Sequence, residues 1–182
     1  DYLVSELNAI DADLKAARTN EYGRVDKIAA KMLLAKLYQN AIVYTGVNKD
    51  TEALAALNAV IASSYAIANV PYGDLFRADN DRAAVQSEII FPIRFSGVNT
   101  KTWGGTTFIT HASVGGSMNP TSSGVNGGWY GLRTRPELYN KFAGDPRGMF
   151  YTSGQTLSIG NIGNFTDGYA INKFKNIKST GG

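Results

Sequence analysis

The first third of the chain carries apolar residues at helical spacing. Leucine and isoleucine recur every three or four positions through residues 2–17, at Leu3, Leu7, Ile10 and Leu14. Because these positions fall on one side of an α-helix, the pattern predicts an amphipathic helix there. The same spacing predicts a second helix over residues 24–44. Gly46 is its expected C-terminal stop, since glycine readily adopts the left-handed conformation found at helix ends.

A third helix is predicted over residues 50–63, with Asp50 or Thr51 as its N-cap. Its apolar stripe consists of Leu54, Leu57, Val60 and Ile61. Two helices of this length with a short linker predict a helical hairpin, a unit that cannot bury its apolar face alone. Either the rest of the chain covers that face, or further helical pairs outside this chain do.

The composition changes in the second half of the chain, which holds 17 of the 20 glycines and four of the five prolines. An apolar, β-rich run at residues 88–95 is bounded by turn residues and predicts a strand. Pro136 suits the first turn of a helix and predicts one over residues 136–142. Elsewhere we expect ordered loops, because aromatic and apolar residues remain frequent there.

These patterns divide the chain into a helical part, residues 1–65, and a loop-rich part, residues 66–182, with short strands and helices. The expected fold is mainly α, with the helical hairpin packed against an irregular layer of loops and short strands. A length of 182 residues and a hydrophobic fraction of 43% suffice for one packed core.

The charge balance and the residue inventory exclude several classes of function. The net charge of +3 comes from 18 basic and 15 acidic residues that are scattered along the chain, so no nucleic-acid partner is expected. The chain has no cysteine, which excludes disulfides and thiol catalysis. No apolar run approaches the ~20 residues that cross a bilayer.

Residues for a catalytic or metal site are few as well. His111 is the sole histidine and no Gly-x-Ser-x-Gly motif is present, so we expect neither a catalytic triad nor a metal site. Asp79, Asn80 and Asp81 lie together but lack the EF-hand spacing, and we interpret them as a solvated turn. The glycine-rich residues 124–128 lack the Lys-Ser/Thr of a phosphate-binding loop, and no cofactor is expected.

The stretch between Glu88 and Glu137 contains no carboxylate, yet it holds both tryptophans, Trp103 and Trp129. Aromatic rings set among Gly, Thr, Ser and Asn suit a neutral polyhydroxylated ligand, because sugars stack their C–H faces on rings and hydrogen-bond through their hydroxyls. A glycoside hydrolase would need two carboxylates beside such a surface. The sequence therefore predicts glycan binding without cleavage, and no enzyme. For any single ring, burial in a core is the competing interpretation.

The acids of the loop-rich part that follow this stretch have structural interpretations. Glu137, Asp145 and Asp167 are the only candidates for a carboxylate pair. Asp145 precedes Pro-Arg, and we expect it to form an ion pair with Arg147. For Arg133, pairing with a carbonyl or with Glu137 is the favoured interpretation.

Five segments, in chain order, carry a recognisable pattern. Residues 24–38, RVDKIAAKMLLAKLY, are similar to a helix of the form Arg-x-x-(Lys)-x-Ala-Ala-x-x-Leu-Leu-Ala-Arg-Leu-Tyr. Residues 52–65 are similar to its partner helix, which ends in Ile-x-Ser-Gly-Tyr. The other segments are Leu75-Phe76 with Glu88-Ile89-Ile90-Phe91, Arg135-Pro136-Glu137-Leu138 with Asp145-Pro146-Arg147, and Tyr169 with Lys173-Phe174. Together they resemble the SusD/RagB family of outer-membrane glycan-binding lipoproteins.

The resemblance implies a non-catalytic protein that captures oligosaccharide or polysaccharide at the cell surface and passes it to a SusC-like TonB-dependent transporter of the outer membrane. It also implies tetratricopeptide-like helical pairs, and membrane association through a lipid anchor that is not present in this chain. Because family members are usually much longer, we expect this chain to be an internal section of a larger protein. An exposed apolar helix face would be the consequence.

The resemblance extends to the aromatic stretch. Residues 102–108 and 127–134 are most similar to the starch-binding branch of the family, which favours a starch-like α-glucan as ligand. The predicted glycan-contacting residues are Trp129, Trp103, Tyr130, Arg133 and Asn126. Trp129 is the expected main stacking ring, and Tyr130 would form the other wall of a cradle. Arg133 or Asn126 would donate hydrogen bonds to sugar hydroxyls.

Two alternatives remain open from the sequence. The chain could be a helical-repeat scaffold that docks a protein, with the aromatic residues buried and no glycan site. It could also belong to a glycoside hydrolase whose acids lie outside this chain, in which case reducing sugar would be released.

Overall fold

The computed structural model describes residues 2–182, whose regular structure is mainly helical with one small sheet and long loops. Backbone contacts group the chain into two compact units. The first comprises residues up to Asn69 together with Ala83–Arg94, and the second comprises Val70–Arg82 together with Phe95–Gly182. The division into residues 1–65 and 66–182 stays a prediction. Within residues 2–182, no helix has both the length and the apolar character needed to cross a membrane.

Helices form the first unit. They are α1 (Tyr2–Ala9), a 3-10 turn (Ile10–Ala12), α2 (Lys27–Gln39), α3 (Ala41–Thr45), α4 (Asp50–Ile61) and α5 (Ala83–Gln86). The main packing is between α2 and α4, where Leu34, Ala35 and Ala56 are buried. Val4 and Leu7 of α1 pack against this core. A helix therefore lies in each predicted region, whereas the tetratricopeptide-like arrangement of the pair stays a prediction.

The first predicted helix is shorter than expected. It ends at Ala9 and continues only as the 3-10 turn, instead of reaching residue 17. Farther along, the Arg18 N–H donates to the carboxylate of Asp26, eight residues later, at 2.9 Å. This bond belongs to a non-helical turn at residue 18, which helical periodicity in the sequence does not reveal.

The second predicted helix begins later than expected and is interrupted. It begins at Lys27 because Asp26 is its N-cap, with extended backbone angles. The interruption is at Asn40, whose side-chain amide donates to the Lys36 carbonyl at 2.8 Å and separates α3 from α2. Gly46 follows α3 with a left-handed φ of 74°, which confirms it as a helix stop.

The N-cap predicted for α4 is wrong. Asp50 and Thr51 already lie inside the helix, and Lys49 precedes it without a side-chain capping bond. The side-chain oxygen of Asn48 accepts the Asp50 N–H at 2.8 Å, so Asn48, the residue before Lys49, supplies the capping bond. Both predicted residues instead occupy the first turn, where the Asp50 carboxylate is favoured by the helix dipole.

Asp26 is a buried acid that joins three segments of the first unit. Its Oδ1 accepts the N–H groups of Ile28 and Ala29, which caps α2. Its Oδ2 accepts the Arg18 N–H at 2.9 Å and the Tyr65 hydroxyl at 2.8 Å. The residue is only 2% exposed, and its two carboxylate oxygens accept four hydrogen bonds, as burial of such a polar group requires.

Tyr65, which donates to Asp26, makes the free energy of unfolding depend on pH in the alkaline range. Burial raises the pKa of Tyr65 above its ordinary value, and the hydrogen bond to Asp26 raises it further. Folding therefore favours the neutral hydroxyl, whose contribution is complete below a pH of about 10 and is lost as the pH rises above that value. We expect urea unfolding to show a steeper loss of stability above this pH in the parent than in Tyr65→Phe. Equal slopes for the two proteins would contradict this linkage.

Several apolar side chains of the first unit are exposed. On α4, Leu54 is 59% and Ile61 is 78% exposed, and their spacing of seven places both on one side of the helix. Leu33 of α2 is exposed as well. An exposed apolar helix face was the expectation from the sequence, and the structure confirms it.

The second unit contains the sheet, two helices and long loops. Its elements are 3-10 turns at Tyr72–Phe76 and Pro120–Ser123, α6 (Gly105–Ala112), α7 (Pro136–Asn140), β1 (Arg133–Thr134), β2 (Phe150–Tyr151) and β3 (Tyr169–Ile171). The strands are antiparallel in the order β1-β3-β2, with Thr134 opposite Tyr169 and Tyr151 opposite Ala170. The core consists of Val114, Met118, Val125 and Ala170. Pro136 begins α7 as predicted, although the helix ends at Asn140.

The strand predicted over residues 88–95 is wrong. This run forms no sheet ladder, and its backbone makes isolated bonds, such as the turn bond from the Glu88 N–H to the Val85 carbonyl. Ile93 is largely exposed instead of facing a core. A β-rich composition gives a strand only where another strand supplies the facing backbone groups, and the sheet takes its strands from elsewhere.

The acidic cluster at residues 79–81 is not simply a solvated turn. Asp79 is half-buried and accepts hydrogen bonds from the Ser179 N–H at 2.8 Å and from its hydroxyl at 2.6 Å. It also pairs with Arg82 at 3.5 Å. These bonds fasten the end of the chain to the second unit.

Candidate functional site

The aromatic stretch is organised around α6, which follows Trp103 directly. Gly104 precedes the helix and Gly105 begins it with a left-handed φ of 59°. A Cβ on Gly105 would lie 3.2 Å from the ring of Phe95, so glycine allows this ring to lie against the helix start. Phe108 and His111 are three residues apart on α6 and share one side of the helix.

Residues 127–132 are fastened to the end of α6 by backbone hydrogen bonds. The Trp129 N–H donates to the His111 carbonyl at 2.9 Å, and the Leu132 N–H donates to the Ala112 carbonyl at 2.9 Å. Between them, the Tyr130 N–H donates to the carbonyl of Val114, a core residue. These bonds bring Trp129 beside the helix although it lies 18 residues after His111.

Four aromatic rings come together there, and we name them the indole platform: Trp103, Phe108, His111 and Trp129. The two indoles have centroids 5.9 Å apart and are inclined by 39°. His111 stacks on Trp129 at 4.7 Å and 22°, and Phe108 lies 6.4 Å from Trp129. Trp103 is 82% exposed and Trp129 is 37% exposed, so the platform faces solvent. The structure thus brings together the two predicted stacking residues.

The spacing of the indoles decides how a ligand can approach. Inserting a flat ring between two others needs roughly 7–8 Å between them, twice the usual 3.5–4.0 Å contact. The 5.9 Å separation of Trp103 and Trp129 is too small for a ligand ring to enter between them, so the two indoles do not form a clamp. An exposed indole can instead stack against the C–H face of a saturated ring.

Tyr130 lies apart from these ring contacts. Its φ of 55° is unusual for a residue with a side chain, and its ring contacts Phe165 at 4.9 Å. The predicted role of Tyr130 as the other wall of a cradle stays a prediction. Phe165 is partly exposed and was missed by the sequence analysis, because nothing local connects it with a residue 35 positions earlier.

Arg133 is engaged in structural bonds. Its guanidinium donates to the carbonyls of Asn164 at 2.7 Å, Asp167 at 2.6 Å and Ile162 at 2.8 Å. It also lies 5.2 Å from the ring of Phe165. These contacts agree with the carbonyl-pairing interpretation, and Glu137 pairs with Arg135 instead. Glycan contact by Arg133 stays a prediction.

Asn126 has an exposed position before the glycine pair at residues 127 and 128. Its amide is therefore accessible from solvent, and its role as a hydrogen-bond donor to a glycan stays a prediction. The structure adds His111 and Phe108 to this neighbourhood. The sequence analysis missed both roles, because it expects loops there and the helix over Gly105–Ala112, which places the two rings on one side, was not predicted.

The carboxylates of the second unit are engaged in structural bonds. The expected ion pair of Asp145 with Arg147 is present at 2.6 Å, and it lowers the pKa of Asp145 to about 2. Asp167 accepts the N–H groups of Gly160 and Asn161. Among residues 2–182, no three His, Cys, Asp or Glu side chains form a group suited to a metal ion.

Comparison with known proteins identifies a relative that covers the chain. No family model matches the sequence. The chain is 30% identical over 229 residues to the starch-binding protein SusD of Bacteroides thetaiotaomicron, an alignment that includes 99% of this chain and 41% of the relative. The chain therefore spans less than half the length of that protein. The prediction of a binding protein and not an enzyme agrees with the name of this relative. This similarity supports the resemblance of the chain to the SusD-like family.

Proposed function

We propose that this chain binds neutral oligosaccharide or polysaccharide, of which a starch-like α-glucan is the favoured ligand, and does not hydrolyse it. The observation that carries the proposal is the indole platform, where two indoles in contact are exposed to solvent on a stretch without carboxylates. Contiguous exposed apolar patches mark interaction sites, and two adjoining exposed indoles form part of such a patch. The similarity to a starch-binding protein supports the same ligand class.

We propose further that the parent protein acts at the cell surface of the outer membrane, held by a lipid anchor, and delivers the glycan to a SusC-like TonB-dependent transporter. The family supports this proposal. Direct tests are co-purification of the parent protein with its transporter and protease accessibility on whole cells. Absence of both co-purification and surface exposure would overturn it.

Replacing either tryptophan by alanine should weaken glycan binding. Truncation of one stacking ring is expected to remove ~1–3 kcal/mol of binding free energy, by analogy with other flat ligands. Titration calorimetry with maltooligosaccharides and other neutral glycans would measure the parent, Trp129→Ala and Trp103→Ala. Tyr44→Ala is a suitable control, because Tyr44 is an exposed aromatic residue of the first unit.

The outcomes separate the proposed function from the alternatives. If both tryptophan variants lose glycan binding and Tyr44→Ala keeps it, the result supports the indole platform as the binding site. Absence of binding to every glycan by the folded parent would overturn the proposal and favour a protein-docking scaffold. Release of reducing sugar would instead indicate a hydrolase.

A further inference from the structure

His111 is part of the indole platform, yet stacking of a glycan on the tryptophans gives it no role. Its ring lies 4.7 Å from that of Trp129 and only 22° from parallel, so it covers one face of the indole. Unlike Trp103, the imidazole is half-buried. The imidazole therefore packs against the Trp129 indole and limits its movement.

The same residue also holds the backbone on both sides of Gly128. The Nδ1 atom of His111 lies 2.9 Å from the Gly127 carbonyl. Because a carbonyl oxygen can only accept, Nδ1 carries the hydrogen and donates it. The His111 carbonyl in turn accepts the Trp129 N–H at 2.9 Å. Ring and backbone together fix the start of the segment that carries Trp129.

We propose that His111 is a positioning residue, which fixes the plane of the Trp129 ring. The effect of His111 on glycan binding rests on the proposed function, whereas its effect on the orientation of the Trp129 indole does not. An indole that is already immobile loses less conformational freedom when a ligand stacks on it. Loss of His111 should therefore weaken binding without removing any ligand contact.

The first experiment follows Trp129 without a ligand. Since the chain has two tryptophans, Trp103→Phe leaves Trp129 as the sole indole. In this background, His111→Ala should increase acrylamide quenching of the fluorescence and reduce the near-ultraviolet circular dichroism. His111→Asn retains a donor at the position of Nδ1, and His111→Phe retains a stacked ring, so each should restore part of the signal.

Two results of this experiment would overturn the proposal. One is identical quenching and dichroism with and without the His111→Ala change. The other is a full return of the parent quenching and dichroism in His111→Leu. Leucine has neither a flat ring nor a donor, so this result would show that His111 only fills space. Tyr65→Phe serves as a control for general loosening, because it removes a hydrogen bond in the first unit and should leave the Trp129 signal unchanged.

The second experiment measures binding of maltoheptaose by calorimetry. We expect His111→Ala to bind about tenfold more weakly than the parent, with His111→Asn and His111→Phe between them. Equal affinity of the parent and His111→Ala would overturn the positioning role in binding. If the parent binds no glycan, the proposed function fails, while the fluorescence experiment still decides whether His111 positions Trp129.

Discussion

Replacing Asp26 by alanine is expected to lower the free energy of unfolding by about 3 kcal/mol or more. The substitution removes the N-cap of α2 and takes the Asp26 acceptor from four donors of the first unit: the N–H groups of Arg18, Ile28 and Ala29 and the hydroxyl of Tyr65. The hydroxyl keeps a second acceptor, the Ile90 carbonyl at 3.2 Å. Bonds to a charged acceptor are worth about 1.5–3 kcal/mol each, and a lost cap about 0.5–2 kcal/mol. Total stabilities are only about 5–15 kcal/mol, so this loss is a large share.

Thermal and urea unfolding of the full chain would measure the effect. For a chain of this length, a loss of about 3 kcal/mol corresponds to a fall in Tm of about 6–12 °C. Asp26→Asn is the matched control, since its remaining oxygen can still cap α2 while its amide group cannot accept from Arg18 or Tyr65. We expect it to lose less stability than Asp26→Ala. A change in stability of less than about 0.5 kcal/mol for Asp26→Ala would contradict the role described for Asp26.

The sequence contained a signal for Asp26 that helical periodicity concealed. An aspartate directly before an apolar repeat is a typical N-cap, and the helix does begin at Lys27. The prediction placed the start at residue 24 because Val25 fits the apolar spacing. The first helix ends before residue 17, and Arg18 lies in a non-helical turn that bonds to Asp26, which apolar periodicity does not reveal.

The sheet was beyond prediction for a different reason. Its strands are two or three residues long, at Arg133–Thr134, Phe150–Tyr151 and Tyr169–Ile171, too short for an alternating pattern to appear. The apolar run at residues 88–95 has the composition of a strand but no partner. Strand formation depends on pairing across the chain, which composition does not determine.

The residues of the candidate site could be predicted from the sequence better than their arrangement in space. The shortage of carboxylates and the two tryptophans are visible in the sequence, and the structure places the indoles in contact. The stacking of His111 on Trp129 joins residues 18 positions apart, and the tilted contact of Tyr130 with Phe165 joins residues 35 positions apart. Those pairs depend on how the loops fold back on α6 and the sheet.

Replacing Gly128 by alanine is expected to displace Trp129 and to weaken glycan binding. A Cβ on Gly128 would overlap the carbonyl oxygen of Val114 and lie 2.7 Å from its carbonyl carbon. Because this neighbour is backbone of a core residue, it cannot swing away as a flexible side chain would. Overpacking typically costs about 1–3 kcal/mol, and we expect a loss of stability near the upper end.

The neighbouring glycine supplies a matched control. A Cβ on Gly127 would meet no atom within 4 Å, and its φ lies outside the left-handed region. Gly127→Ala should therefore keep the parent stability or gain a few tenths of a kcal/mol, since alanine restricts the unfolded chain. Thermal unfolding and maltoheptaose titration of both variants would separate the effects.

The comparison of Gly128→Ala with Gly127→Ala tests whether close packing at Gly128 positions the Trp129 segment. If Gly128→Ala loses stability and glycan affinity while Gly127→Ala keeps both, the close approach of Gly128 to Val114 holds the Trp129 segment against α6. Equal behaviour of the two variants would contradict this, because the chemical change is the same and only the neighbouring atoms differ. Glycine at 128 would then serve the turn alone, and the bonds from His111 to Gly127 and Trp129 would suffice to hold the ring.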